Sequence, residues 1–406
     1  MKQKFIVIGL DDNTTPHGIG DGRQSNLVAL PQGQYIKEEN IFSGGIRHHE
    51  IMKPFLPSGY KWINITTPLD HVFEQYTAHD HIVVFASGDP LFFGFANTIK
   101  RKLPAAEIII YPTFNSLQML AHRLVLQYDD MRMVSLTGRP WHEFDQALIR
   151  NEAKIGVLTD REHTPVTIAL RMLTYGYTNY TMHTGEHLGN SLEERVRTLT
   201  IEEAAKETFR HPNNLILVRN SSRQQFFGIP EEEFTHLNGR SKMITKAPIR
   251  LLTLNALELS EKKTFWDVGF CTGSVSIEAK LQFPHLHITS FEVRSEGAEL
   301  IATNSQKFGA PGITTVISDF VQADLSAYPH PDAVFIGGHG GKLKEMITRI
   351  QAVLQPGGVI VFNSVTTESK NLFIEGIEAS NMELLSTTRV AIDEHNPIEI
   401  LKATLK

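Results

Sequence analysis

Short apolar runs alternate with longer amphipathic stretches along this chain of 406 residues. Apolar runs of roughly four to eight residues are typical of buried strands, and the amphipathic stretches between them are typical of helices. The alternation therefore predicts an α/β architecture with largely parallel sheets. In the first half the predicted strands are Lys4–Gly9, His81–Ser87, Glu107–Tyr111, Arg132–Leu136, Lys154–Thr159, Asn179–His183 and Asn214–Arg219. The helices predicted between them include Asn115–Leu126 and Pro165–Tyr175.

The pattern changes after Asn220. Residues Ser221–Arg240 are polar and show no sustained period, which is typical of an interdomain linker, although three phenylalanines suggest that the segment docks on a domain. We therefore expect two unlike α/β domains, at residues 1–220 and 241–406, joined by a linker at 221–240. The strands predicted in the second domain are Thr264–Gly269, His287–Val293, Thr314–Ser318, Ala333–Gly337, Val359–Asn363, Leu384–Ile392 and Glu399–Leu405. Since no long helix separates the last two, they predict a terminal antiparallel pair.

Charge and composition exclude several classes of protein. The 39 Lys and Arg residues against 45 Asp and Glu give a net charge of −6, which argues against a general nucleic-acid binder. The single cysteine, Cys271, excludes an internal disulfide framework and a multi-cysteine zinc site. No apolar run reaches the roughly 18 residues of a membrane span, and the N-terminus turns polar too soon for a signal peptide. We expect a cytoplasmic protein without membrane or nucleic-acid partners.

The segment WDVGFCTGSVSIEA, residues 266–279, carries the clearest chemical signal. A buried strand ends in a turn of small residues and continues into a helix, where Gly269 and Gly273 let the backbone approach a ligand. Asp267 would repel a pyrophosphate and suits a cationic ligand instead. Glu292 follows at the end of the next strand, where folds of this type bind a ribose diol. A plain βα turn is the alternative for the glycines alone.

Residues 241–406 resemble the decarboxylating C15-methyltransferase family of corrin biosynthesis, a class I Rossmann-like methyltransferase. The resemblance is carried by MITKAPIR (243–250), by 266–279, by PDAVFIGGHGG (331–341) and by LQPGGVIVFNSVT (354–366). It implies S-adenosylmethionine as cofactor and adds Thr272 and Asp319 to the predicted cofactor-binding residues. One departure is Cys271, which stands where the family has a second glycine.

The same resemblance implies a large polycarboxylate substrate, a tetrapyrrole, which needs cationic and amide groups at the rim of the cleft. Lys246, Arg250 and His339 are therefore the predicted catalytic residues, with Arg250 able to grip a carboxylate through two parallel hydrogen bonds. The alternative is a solvated helix face for the two cations and a flexible turn for the glycines around His339.

In the first half, ASGDPLFFG (86–94) predicts a strand that ends in a tight turn and opens a capped helix. With PTFNSLQ (112–118), SLTGR (135–139), GEHLG (185–189) and NLILV (214–218), it resembles the class III tetrapyrrole methylases that methylate C5 in the same pathway. That resemblance implies a second S-adenosylmethionine site between two lobes. Its predicted residues are Gly88, Asp89, Thr113 and Ser116.

One departure and one histidine bear on the prediction for this first half. The family's first glycine-rich turn is replaced by Leu10–Asn13, so we expect an altered floor of the substrate cleft in which C5 methylation would take place. His48 falls at a position where either a role in the substrate cleft or simple packing is expected. No pair of histidines has metal-ligand spacing, so no protein-bound metal is predicted.

The two resemblances occur in the order found in the bifunctional precorrin C5,15-methyltransferase (decarboxylating) family. They imply methylation of a corrin precursor, precorrin-6B or its cobalt form, at C5 and C15, with loss of carbon dioxide from the C12 acetate, by a homo-oligomer. Two other functions stay open: an RNA or protein methyltransferase that uses the class I domain, and a cofactor-binding scaffold with an inactive first domain.

Overall fold

A computed structural model describes residues 2–10, 33–238, 240, 243–392 and 397–406. The chain divides into two compact units. The first comprises Met1–Arg139, Ala153–Ala169 and Tyr180–Val218, and the second comprises Pro140–Glu152, Leu170–Asn179 and Arg219–Lys406. Of the sequence features above, residues 11–13 in the altered first turn lie outside the described part of the chain.

Strands and helices alternate through the described residues. The strands are β1 (Lys4–Leu10), β2 (Ile41–Gly44), β3 (Lys61–Asn64), β4 (His81–Ser87), β5 (Glu107–Tyr111), β6 (Arg132–Ser135), β7 (Lys154–Leu158), β8 (Tyr180–Glu186), β9 (Arg195–Thr200), β10 (Asn213–Arg219), β11 (Thr264–Val268), β12 (His287–Glu292), β13 (Ile313–Ile317), β14 (Ala333–Ile336), β15 (Val359–Ser364), β16 (Met382–Val390) and β17 (Ile398–Leu405). The helices are α1 (Gly33–Glu38), α2 (Ile46–Met52), α3 (Asp70–Tyr76), α4 (Phe95–Lys102), α5 (Ser116–Leu124), α6 (His142–Ile149), α7 (Pro165–Thr174), α8 (Ile201–Ala204), α9 (Ala247–Ala256), α10 (Ser274–Gln282), α11 (Glu296–Phe308), α12 (Leu343–Gln351) and α13 (Thr367–Ala379).

The strands of the first unit form two sheets. One is parallel, in the order β3-β2-β4-β1-β5, and its central strands β1 and β4 are almost wholly buried and apolar. The other has the order β6-β7-β10-β8-β9. It is mixed, because β6 and β7 are parallel, whereas β10 runs antiparallel to β7 and β9 antiparallel to β8. Continuous apolar runs suit strands that are covered on both faces.

The second unit is built on one sheet in the order β13-β12-β11-β14-β15-β17-β16. The first five strands of this order are parallel, and β17 and β16 form the antiparallel pair at the end, as the sequence predicts. From β11 to β13 each new strand is added on one side of the sheet, and from β14 to β15 on the other side, so the strand order switches between β11 and β14. In open α/β sheets, ligands bind beyond the carboxyl ends of the strands at such a switch point.

The mixed α/β fold confirms the predicted fold class, and the strands predicted in the second domain agree with β11–β17 to within a few residues. The short strands β2, β3 and β9 were not predicted. β3 and β9 are edge strands with polar or half-exposed residues, so they lack the continuous apolar run that reveals a buried strand.

The segment expected to be a linker packs on the second unit. Ile229 and Phe234 are buried in a cluster with Ile277, Phe308 and Ala310, and Phe226 packs beside them. The docking expected from the phenylalanines is therefore seen for two of them, whereas Phe227 is 72% exposed. A fragment that began at residue 241 would lack these contacts.

Within the described residues, no helix is long and apolar enough to cross a membrane. The same residues contain no group of three or more His, Cys, Asp or Glu side chains arranged to hold a metal ion.

Candidate functional site

A cavity of about 570 Å³ lies at the carboxyl ends of the central strands of the second unit. Its walls come from the turns after β11, β12, β13 and β14, together with the segment that enters α9. The lining includes seven of the predicted site residues: Lys246, Asp267, Gly269, Thr272, Glu292, Asp319 and His339. The switch point of the sheet and the predicted residues therefore coincide.

Backbone conformation explains the glycines after β11. Gly269 has φ +79°, and a Cβ atom there would lie 2.6 Å from the backbone of Gly338 in the turn after β14. Gly273 has φ +76° and does not line the cavity. It faces α11, where a Cβ atom would lie 2.5 Å from Ile301. Gly269 thus brings two walls of the cavity together, and Gly273 lets α11 approach the turn.

Asp267 lies at the base of this cavity and is only 1% exposed. Its Oδ2 atom accepts a hydrogen bond of 2.6 Å from the Ser276 hydroxyl, and no hydrogen-bond donor among the described residues reaches Oδ1. Burial, with a smaller contribution from the Glu292 carboxylate, raises the pKa of Asp267 to about 7. Among the residues that the structure describes, no Lys, Arg or His forms an ion pair with this carboxyl.

Glu292 closes β12 and organises the turn after β11. Its Oε2 accepts a hydrogen bond of 2.9 Å from the Cys271 N–H, and its Oε1 accepts those of Val293 and Arg294 at 2.9 and 3.1 Å. The Arg294 guanidinium lies at 3.3 and 3.4 Å from the same carboxylate. Cys271 adopts φ +50°, in the left-handed region that favours glycine, which is the residue that the resemblance leads us to expect at this position.

Two further groups complete the rim. Lys342 donates to Asp319 Oδ2 at 2.6 Å, which lowers the pKa of that carboxyl. His339 accepts a hydrogen bond of 3.2 Å from the Gly341 N–H through Nδ1, so the proton of its neutral form is assigned to Nε2. Because burial lowers the pKa of His339, the neutral form is favoured at neutral pH.

The two predicted substrate-binding cations lie in different environments. Lys246 lines the cavity, and no described carboxylate is within ion-pair distance of its ammonium group. Arg250 is 0% exposed and does not line the cavity. Its Nε lies 3.2 Å from Glu278 Oε2, and its Nη1 and Nη2 atoms donate to the carbonyls of Thr245 and Ile229.

This placement does not agree with the role predicted for Arg250. A fully buried guanidinium that bonds a buried carboxylate and two backbone carbonyls, and that does not line the cavity, cannot also grip a substrate at the rim. We therefore correct the prediction: Arg250 ties Ile229 and Thr245 to Glu278 on α10, and Glu278 also accepts the N–H groups of Gly228 and Ile229.

The first unit has a separate cleft of about 590 Å³, lined by residues from both of its sheets. Gly88 lies at the end of β4 with φ +63°, and a Cβ atom there would lie 2.9 Å from the Asn115 Cα atom. Ser116 begins α5 and also lines the cleft. The conformation of Gly88 thus allows the loops after β4 and β5 to meet.

Asp89 and Thr113 do not line this cleft. The Asp89 side chain accepts a hydrogen bond of 2.8 Å from the Leu91 N–H, which fixes the turn after β4. The Thr113 N–H approaches the Gly88 carbonyl at 3.4 Å. Both residues therefore shape the loops, and their predicted contact with a cofactor stays a prediction.

His48 lies in the first cleft beside Ser87, with 2.9 Å between Nε2 and the serine Oγ. Its Nδ1 accepts a hydrogen bond of 3.2 Å from the Gly45 N–H, which assigns the proton of the neutral ring to Nε2. Burial, followed by the charge of Arg47, lowers the pKa of His48 to about 4. The imidazole is therefore neutral and donates to Ser87.

Comparison with known proteins identifies the family. A family model described as "Precorrin methyltransferase domain" matches residues 236–403. A precorrin-6Y C(5,15)-methyltransferase (decarboxylating) of Sinorhizobium sp. is 30% identical over 382 residues, which cover 91% of this chain and 87% of that protein. The chain belongs to the precorrin-6Y C(5,15)-methyltransferase (decarboxylating) family.

Other relatives match one part of the chain. A cobalt-precorrin-6B C(15)-methyltransferase (decarboxylating) of Salmonella typhimurium is 38% identical over 133 residues, which are 33% of this chain and 68% of that protein. A solved precorrin-6Y C5,15-methyltransferase structure from Geobacter metallireducens is 34% identical and has a TM-score of 0.40. It covers 44% of this chain and 98% of that chain.

For this member of the precorrin methyltransferase family, the sequence missed several groups that line the two clefts. Arg294, Lys342 and Asn363 line the second cavity, and Asn214 and His211 line the first cleft. Arg294 and Lys342 directly follow motifs at strand ends, a position that could have revealed them. Asn363 and Asn214 lie inside strands, where only the paired sheet shows which face a side chain occupies.

Proposed function

We propose that each unit binds S-adenosylmethionine and transfers one methyl group to a precorrin: C15 methylation with loss of carbon dioxide in the second unit, and C5 methylation in the first. The observation that carries this proposal is the Asp267 carboxylate, which is buried at the base of the cavity with one oxygen lacking a donor. The cationic ammonium of the cofactor would supply that donor and offset the unfavourable burial of the charge.

The second cavity fits this cofactor in other respects. Glu292 would hold the ribose diol. Its long contacts with the partly exposed Arg294 guanidinium can be exchanged for hydroxyl groups without loss of its shorter bonds to the backbone. Gly269 and the turn after β14 provide backbone without side chains next to the ligand. When bound, S-adenosylmethionine supplies an electrophilic methyl group on a cationic sulfonium.

The chain's own groups would then orient the substrate. Lys246, free of a carboxylate partner among the described residues, attracts a carboxylate of the macrocycle to the rim of the second cavity. His339 offers an Nε2–H donor in its neutral form. Departure of carbon dioxide leaves an electron pair that the conjugated macrocycle accepts, so these residues need only align the reactants and exclude water.

The proposal of C5 methylation in the first unit is supported by a cleft that this unit forms from its own residues, with its own polar groups. Gly88 and Ser116 would face the cofactor. The neutral His48 holds Ser87 through Nε2, so that the serine hydroxyl proton is left to donate to the substrate. Arg47 and Arg161, which also line the cleft, match the negative charge of a polycarboxylate.

Mass spectrometry of the product tests this assignment. The full chain, given a precorrin-6B-type substrate and isotopically labelled methyl donor, should yield a product that gains two labelled methyl groups and loses one carbon dioxide. The Asp267→Ala variant should yield a product that gains one methyl group and retains the carboxylate. A variant that still releases carbon dioxide at the wild-type rate would contradict the role of the second cavity.

A further inference from the structure

The first cleft contains a buried amide whose hydrogen-bonding groups have no partner among the residues that the structure describes. Asn214 lies on β10, lines the cleft and is 1% exposed. Within the described part of the chain, neither its Nδ2 nor its Oδ1 has a hydrogen-bond partner. A Cβ atom added at Gly185, on β8, would lie 3.0 Å from Oδ1, so the glycine leaves room beside the amide oxygen.

A structural role does not account for this side chain. A buried amide without partners is destabilising by about 1–3 kcal/mol, and nearly all buried polar groups are paired in folded proteins. The neighbouring Asn213 shows the ordinary arrangement, because its Oδ1 accepts from the Thr159 hydroxyl at 2.7 Å and its Nδ2 donates to the Arg210 carbonyl at 2.7 Å. Asn214 therefore has both groups available for a ligand.

Apolar side chains continue the face of β10 that carries Asn214. Ile216 lies two residues further along β10, on the same face of the sheet, in a cluster with Met119 and Leu188. Both of these residues also line the cleft. A neutral, flat heterocycle suits such a wall, whereas a charged amino-acid group would be left without a counter-charge there.

We infer that Asn214 recognises the adenine ring of the cofactor in the first cleft, an inference that rests on the proposed function. An amide presents one donor and one acceptor in a plane, and adenine presents the 6-amino donor beside a ring-nitrogen acceptor. The precorrin substrate presents carboxylates, which only accept hydrogen bonds and would leave Oδ1 without a donor. Asn214 thus determines specificity for the purine.

The test measures binding of S-adenosylhomocysteine and of its analogue without the 6-amino group. Hydrogen exchange of the 213–219 peptide in the full chain, followed as a function of ligand concentration, reports the first cleft separately from the second. The wild-type protein should bind the analogue about tenfold more weakly or worse. Asn214→Leu should bind S-adenosylhomocysteine about tenfold more weakly and should no longer distinguish the two ligands.

Two outcomes separate failure of this inference from failure of the proposed function. Discrimination that survives in Asn214→Leu overturns the role of Asn214, while protection of the 86–94 and 112–118 peptides by S-adenosylhomocysteine would still support a cofactor site. If the ligand protects none of these peptides in the wild-type protein, the proposed function of the first unit fails.

Asn213→Leu is the matched control. Because it breaks two hydrogen bonds, it should lower the melting temperature and weaken both ligands by the same factor. Asn214→Leu should melt at the wild-type temperature or above, because it replaces an unpaired amide by an apolar group of similar size. A clear fall in its melting temperature would indicate a structural role and overturn the inference.

Discussion

Replacing Asp267 by asparagine is expected to stabilise the second unit, increasingly so as pH rises. The folded-state pKa of this carboxyl is raised by burial to about 7, above its ordinary value of 3.8. Between these values the unfolded chain has released a proton that the folded chain retains, so the stability of the wild-type protein falls as pH increases through this window. Asparagine cannot ionise and escapes this loss.

The magnitude follows from the two pKa values. The difference in the free energy of unfolding between variant and wild type should rise from about 2 kcal/mol at pH 5 to about 4 kcal/mol at pH 8, with little further change above pH 8. The Ser276 hydroxyl can still donate to the amide oxygen, so that bond does not alter the comparison.

Urea unfolding of the full chain from pH 5 to pH 8 measures this difference, followed by tryptophan fluorescence in variants in which Trp62 and Trp141 are replaced by phenylalanine, so that the buried Trp266 alone reports. The control is Asp319→Asn. Because Lys342 lowers the pKa of Asp319, this substitution should destabilise the protein at pH 8 and have less effect as pH falls. A pH-independent difference for Asp267→Asn would refute the reasoning.

The same Asp267→Asn variant should bind S-adenosylmethionine more weakly in the second cavity, since the ammonium group would lose a charged partner worth about 1.5–3 kcal/mol. In the wild-type protein the affinity should rise from pH 6 to pH 8, as the carboxyl loses its proton. Calorimetric titration at several pH values measures both effects, and equal affinities for variant and wild type would place the ammonium elsewhere.

Three other substitutions test the architecture. Arg250→Met should lower the free energy of unfolding by about 3–5 kcal/mol, because it leaves the Glu278 carboxylate buried without its cation, and an unchanged urea midpoint would contradict this. Cys271→Val should be about 1–3 kcal/mol less stable than Cys271→Gly in the same assay, because φ is +50° there; equal stabilities would argue against strain. Gly88→Val should abolish C5 methylation but not the loss of carbon dioxide, as measured by mass analysis of the product. The control is Gly138→Val, which has a similar φ of +61° but no atom within 4 Å of its Cβ, and which should retain both reactions.

Much of the candidate site could be predicted because parallel strands place their carboxyl ends at one edge of a sheet. That rule is enough to bring Asp267, Glu292 and Asp319 to one cavity, because each lies at or just beyond the carboxyl end of a different strand. It does not say whether a side chain near the start of the preceding helix α9 faces the cavity or the core. Lys246 and Arg250, four residues apart, have opposite environments for this reason.

The sequence by itself determined the α/β class, the strands of the second unit and the family, since these depend on local periodicity and on short motifs. Tertiary structure alone decided that residues 228–234 belong to the second unit, because Glu278 and Arg250 hold them through contacts between distant parts of the chain. It also decided which polar groups are left unpaired. The sequence motif singles out Asp267, but only the packing shows that its Oδ1 atom has no hydrogen-bond partner among the described residues. Nothing in the sequence distinguishes Asn214 from other asparagines, and only the packing shows that neither end of its amide is paired within the same residues.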